Sequence, residues 1–184
     1  MKKLLVLCML VASVLFADAK SNPLRLKSGT LAPLKTEGRR ISCTFDFSQT
    51  RANRKPLEQY LVEDYHSTME DFNRYVPEMH EWFVEKWNDD IEEGPTAVIS
   101  DNEQLKLVVV VRTLQLGSKS GWGGSSISGY VHFYKDAKEE PFAVVEVLKM
   151  NGTQMGGTVA GYYGLKQVFN DLAEYLCDLI YHYK

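Results

Sequence analysis

The stretch Leu105-Lys106-Leu107-Val108-Val109-Val110-Val111-Arg112-Thr113-Leu114-Gln115-Leu116 decides how the chain is read. Its apolar residues fill both phases of a two-residue alternation, so neither face is left polar. A β-branched run of this kind predicts a central strand covered on both sides. Downstream, Ile127, Val131 and Phe133 alternate with Tyr130, His132 and Tyr134 over residues 127–134, which predicts a second strand. A charged turn over 135–140 separates it from a third, 142–150. A glycine-rich loop over 151–164 then leads to a terminal helix, where Leu165, Val168, Phe169, Leu172, Leu176, Leu179 and Ile180 recur at helical spacing.

Upstream of the Leu-Val run the pattern changes period. Residues 96–100 suit a short strand. Met79, Trp82, Phe83, Trp87 and Ile91 form an apolar stripe on a helix expected to start at Pro77, with Glu78, Glu81, Glu85 and Lys86 on its other face. An earlier helical piece opens at Lys55-Pro56, where a proline costs no hydrogen bond, and carries Leu57, Tyr60, Leu61 and Tyr65. Residues 41–47 alternate strictly, with Ile41, Cys43, Phe45 and Phe47 on one face. The order β-α-α-β-β-β-α predicts an α+β two-layer sandwich: a small mixed or antiparallel sheet with helices packed mainly on one face. Residues 39–184 are expected to form this one domain, behind a polar N-terminal arm over 20–38 with a short edge strand near 30–34.

Residues 1–19 have the form of a secretory signal peptide. Lys2 and Lys3 precede an apolar stretch over 4–16, and Ala17-Asp18-Ala19 supplies small residues for cleavage. The apolar run is shorter than the ~20 residues that span a bilayer, and Leu7 before Cys8 disfavours lipid attachment at that cysteine. The expectation is a periplasmic or secreted protein that does not span the membrane in its mature form. The 184-residue chain has a net charge of −3, and loss of the signal takes two lysines and one aspartate with it. A mildly acidic chain without a basic run argues against nucleic acid as a partner.

Cys43 and Cys177 survive cleavage. Two readings stay open: a disulfide formed in an oxidising compartment, or two buried thiols.

No motif predicts an enzyme, a metal or a cofactor. His80-Glu81 begins like a zinc-protease helix, but Val84 stands where the second histidine belongs. Cys43 and His132 both fall on strands, yet Cys43 lies on an apolar face where a thiol is inert. In Gly117-Ser118-Lys119-Ser120-Gly121 no Lys-Ser/Thr pair follows the final glycine as a phosphate loop requires, and the glycines of 156–164 ahead of a helix suit a surface loop as well as an anion site. The acidic pairs Glu63/Asp64, Asp89/Asp90, Glu92/Glu93 and Glu139/Glu140 lie in hydrophilic runs and suit a solvated surface. The segment 117–126 is different. It is almost wholly Gly and Ser, with Trp122 between Gly121 and Gly123. That tryptophan either folds back on the sheet or serves as an exposed loop anchor for a protein or glycan.

Three stretches carry a resemblance: Gly29-Thr30-Leu31-Ala32-Pro33-Leu34-Lys35 running into 41–48; Trp82-Phe83-Val84-Glu85-Lys86-Trp87-Asn88; and 108–117 with Gly129-Tyr130-Val131-His132-Phe133. In these the chain resembles a group of small exported Bacteroidetes proteins of unassigned function. Its element order is similar to the amino-terminal domain of the TolB translocation protein and to the periplasmic domain of curli-secretion lipoproteins. The resemblance implies a role in envelope assembly and no catalytic residues. Missing here are a lipobox cysteine, a propeller domain and a transmembrane hairpin, so a secretion-channel role does not carry over. The expected function is a non-enzymatic periplasmic or envelope binding or assembly module with an envelope protein as partner. A small-ligand binder for glycan or lipid fragments is the alternative, and a hydrolase with an unrecognised site is the third.

Overall fold

A computed structural model describes residues 22–36, 40–100, 103–117, 124–136, 138–152 and 161–183. The predicted signal peptide, and Trp122 with Gly121 and Gly123, lie outside the described residues. The elements run β1 (Leu24–Gly29), α1 (Ala32–Thr36), β2 (Arg40–Asp46), β3 (Arg51–Ala52), β4 (Lys55–Pro56), α2 (Leu57–Glu63), α3 (Met69–Asp90), β5 (Thr96–Val98), β6 (Leu105–Gln115), β7 (Ser126–Lys135), β8 (Ala143–Asn151) and α4 (Gly161–His182).

The fold is α+β. The strands form one open mixed sheet in the order β1-β8-β7-β6-β2-β5, with β3 and β4 as a small hairpin attached to β6. β2 runs parallel to β5 and β6, while β6, β7, β8 and β1 are antiparallel neighbours. The two long helices lie side by side against one face. Their contacts advance together along both helices: Tyr75 stacks on Tyr162, Lys86 pairs with Glu174, and the Cys177 thiol donates to the Trp87 carbonyl. α3 and α4 therefore run parallel.

The core fills the space between this helical layer and one phase of each strand. Leu105, Leu107, Val109 and Val111 of β6, Val131 and Phe133 of β7, and Val145 and Val147 of β8 are all buried there. From the helices come Phe72, Phe83, Trp87, Leu165, Phe169 and Leu172. Phe45 of β2 stacks on Phe169, with ring centroids 4.3 Å apart, and meets Phe83 edge-on.

Several expectations change. The polar arm contributes an edge strand at Leu24–Gly29 rather than near 30–34, and its Leu24, Leu31 and Leu34 are buried. Lys55-Pro56 belongs to the β3–β4 hairpin, and α2 starts one residue later. α3 begins at Met69, not at Pro77. The Thr68 hydroxyl accepts the Asp71 N–H at 3.1 Å and caps it, and Pro77 sits inside the helix, where the packed apolar stripe outweighs its lost hydrogen bond. α4 takes in Gly161 and Gly164, which the sequence places in a loop. β6 is covered on one face only: Val108 and Val110 point away from the helices and are half-buried. No helix among the described residues is long and apolar enough to cross a membrane.

Candidate functional site

The uncovered face of the sheet follows from strand register. His132 lies between Val108 and Val144 across the sheet, Tyr130 between Val110 and Glu146, and Tyr134 beside Lys106. One strand therefore places Tyr130, His132 and Tyr134 in a row, with successive ring centroids 6.2 and 6.1 Å apart. His132 Nδ1 and the Tyr134 hydroxyl are 3.2 Å apart. Lys27 reaches over from β1, its ammonium 4.5 Å from the Tyr130 ring centroid and donating to the Tyr130 hydroxyl at 3.2 Å. Valines flank the row and charged groups surround it, which is the anatomy of a protein contact surface: apolar and aromatic at the centre, polar at the rim.

Both sheet edges are blunted against an added strand. The Asn88 side chain on α3 receives the Ala97 N–H at 2.7 Å and donates to the Ala97 carbonyl at 3.0 Å, covering the edge of β5. β1 carries Arg25 and Lys27 and has a register shift between Leu26 and Ser28. Charge and irregularity of this kind blunt an edge.

A groove of about 1030 Å³ opens where β2 ends. Phe45, Phe47, Met69 and Val76 give it an apolar wall, and Arg51, Arg112 and Asn73 stand at its rim. The Arg112 guanidinium is already engaged by the Gln49 side chain. It also helps hold the Asp46 carboxyl below its ordinary range, although hydrogen bonds from Ser48 do most of that work. On the other side of Phe45, His80 packs against the ring with centroids 4.1 Å apart. Its Nε2 is buried with no hydrogen-bond partner among the described residues.

Ser125 ties together the ends of several segments. Its hydroxyl accepts the Gly117 N–H at 3.0 Å and donates to the Gly161 carbonyl at 2.8 Å, while its own carbonyl receives the Gly152 N–H at 3.0 Å. One buried serine thus fixes both ends of the β6–β7 connection, the end of β8 and the start of α4. Along the chain, Ser125 closes a glycine run that lacks nucleophile-elbow geometry, and a Ser at the edge of a Gly-Ser run gives no periodic signal of such a clamp.

The sequence-level chemical candidates separate in space. Cys43 faces the helical layer and His132 the uncovered face, so the sheet lies between them. Cys43 and Cys177 are both buried as free thiols. Cys43 sits on β2, whereas the Cys177 thiol is directed at the Trp87 carbonyl. Burial pushes the Cys43 thiol well above its ordinary range and the Cys177 thiol up to about 12, so neither is a thiolate at neutral pH. Tyr65 is likewise pushed up to about 12, chiefly by burial. No three His, Cys, Asp or Glu side chains converge as a metal site among the described residues.

Two half-buried histidines carry a pH signature. Burial lowers the pKa of His80, and burial together with Arg112 lowers that of His132. Folding favours the neutral form of both, while the unfolded chain takes up protons near pH 6.5. Stability is therefore expected to fall as pH drops through 6.5 and to go on falling until the folded-state histidines themselves protonate. Urea unfolding at stepped pH should show this slope, and His80→Phe should flatten it. A wild-type midpoint constant between neutrality and pH 5 would contradict the assignment.

No protein-family model matches the chain, and no curated protein does. Two solved structures of the PelC dodecamer from Paraburkholderia phytofirmans are similar to it. One, in space group P6, is 7% identical with a TM-score of 0.46, covering 83% of this chain and 96% of that chain. The other, a leucine-to-methionine variant in space group C2, is 8% identical with a TM-score of 0.44, covering 83% and 95%.

Proposed function

We propose that this chain is an exported, non-enzymatic binding or assembly module of the cell envelope, and that the uncovered sheet face is its working surface. The aromatic row Tyr130–His132–Tyr134 carries the reading. Large amphipathic rings on a rigid sheet offer contact area with little side-chain entropy to lose. A strand-addition mode is disfavoured by the state of both edges. Export rests on residues 1–19. Trp122, with Gly121 and Gly123 on either side, is proposed as a second anchor, because the segment containing it joins β6 to β7, the central strands of this face.

A photo-crosslinking residue placed at His132 or Val108 in cells tests the surface, with Val62, exposed on α2, as the control. Adducts from 132 and 108 but not from 62 are expected in the envelope fraction. Absence of any adduct from the face would remove the reading. Loss of an adduct on Trp122→Ala would support the loop as part of the contact, and an unchanged set would remove it.

A second reading draws on the groove beside Phe45 and Phe47, whose apolar wall and arginine rim suit a lipid or glycan fragment. Val76→Trp fills this space. Titration of a fatty acid and of a short oligosaccharide against both forms distinguishes the cases: saturable binding lost in the variant supports a ligand site, and no binding to wild type removes it.

A further inference from the structure

The charges of this chain are divided between its two outer surfaces. On the uncovered sheet face stand Arg25, Lys27, Lys106 and Arg112, against Asp46 and Glu146. The helical layer is the reverse. Its bases are consumed locally: Arg74 by Glu70 and Asp71, Lys86 by Asp90 and Glu174, and Lys166 by Glu78. Glu81, Glu85 and Asp89 of α3 and Asp178 of α4 are exposed, and no cation lies within ion-pair distance of them among the described residues. In a chain of net charge −3, a basic sheet face therefore sits opposite a strongly acidic helical layer.

Apolar content matches as well. The acidic layer presents Trp82 and Tyr163, packed edge to face at 5.2 Å, with Tyr163 37% exposed. The basic face presents the Tyr130–His132–Tyr134 row. Five strands about 4.8 Å apart and roughly 30 Å long give that face an outline of about 700 Å². A standard interface buries about 800 Å² per partner.

We propose that the uncovered sheet face of one molecule binds the helical layer of a second copy, head to tail. This rests on the sheet face being the working surface and names its partner. The two surfaces lie on opposite sides of a two-layer body, so the contact is heterologous. Each bound copy still offers one free sheet face and one free helical layer, and the contact repeats into a ring or a filament according to the rotation between copies. Charge complementarity sets the orientation and makes association sensitive to salt.

The experiment uses the purified chain lacking residues 1–19, followed by sedimentation velocity. At low salt and about 100 μM protein, a scale chosen for a contact of modest affinity, wild type is expected to sediment above monomer mass. High salt should weaken association about tenfold or more. Lys27→Glu with Lys106→Glu reverses the sheet face, and Glu81→Lys with Glu85→Lys offsets the unpaired acidic charge of the helical layer left on Asp89 and Asp178. All four are surface changes, and circular dichroism confirms that both double variants are folded. Each alone is expected to be monomeric, because the first has lost its basic face and the second the unpaired acidic charge which that face would meet. An equimolar mixture is expected to associate, because each variant keeps one native surface for the other.

Monomeric wild type at low salt, assembly unaffected by both double variants, or a mixture that stays monomeric would each overturn the proposal. The crosslinking result separates this from failure of the surface itself. Adducts from His132 to a different protein would sink self-association and leave the working surface standing, whereas no adducts at all would sink both.

Discussion

Trp87→Ala is expected to lower the free energy of unfolding by about 4 kcal/mol. Trp87 is 0% exposed, and its indole N–H donates to the Pro95 carbonyl at 2.8 Å. The ring also stacks on Phe83 at 5.9 Å. Truncation removes the largest fully buried side chain among the described residues and leaves a cavity between α3 and the sheet. It also strands the Pro95 carbonyl, which adds about 1 kcal/mol or more. Domains of this size are stable by only about 5–15 kcal/mol, so the variant should be close to unfolding at body temperature. Urea denaturation gives the number. Trp87→Phe keeps most of the volume and loses only the donor, so it should cost less than half as much. A loss under about 2 kcal/mol for Trp87→Ala would mean that the site collapses around the missing ring.

Gly129→Ala should cost about 3 kcal/mol, at the upper end for overpacking. Gly129 lies in β7 between β6 and β8, opposite Val111 on one side and Val147 on the other. A β-carbon there would sit 2.1 Å from the Val110 carbonyl oxygen and 3.0 Å from the Arg112 nitrogen. Both atoms belong to the backbone of the neighbouring strand, so no side chain can turn aside. The strands must separate, at a point where both pairings already shift register. The backbone there, at φ +158°, is also one that an L side chain rarely adopts. A measured loss below about 1 kcal/mol would show that the bulge absorbs the methyl group.

The fold was legible where hydrophobic period and burial agree. The stripes beginning at Met79 and Leu165 were read from spacing and lie on the sheet, and the alternation of Ile127, Val131 and Phe133 against Tyr130, His132 and Tyr134 is the alternation of covered and uncovered faces. Val108 and Val110 misled for a physical reason. β-branched residues suit any pleated surface, so an open face carrying them reads as a buried one. Proline at 77 drew the helix start away from the weaker but decisive Thr68 cap. The edge strand at 24–29 was hidden because its alternation, with Lys and Arg pointing outward, is short and broken by a bulge.

The candidate surface was half legible. Its aromatic row follows from a period of two, but its isolation from Cys43, the blocking of the β5 edge by Asn88 and the division of charge between layers depend on which strands and helices become neighbours. No spacing rule along the chain encodes that.

The clamp at Ser125 bears on how this molecule could be altered. Because the Gly117 N–H and the Ser125 hydroxyl fasten both feet of the connection between them, residues inserted in that span should impose no strain on β6 or β7, and loop closure itself grows costly only slowly with length. Grafting a recognition peptide there would display it on a rigid platform. Removing residues would instead pull on the foot shared with α4, and the damage would spread to the terminal helix.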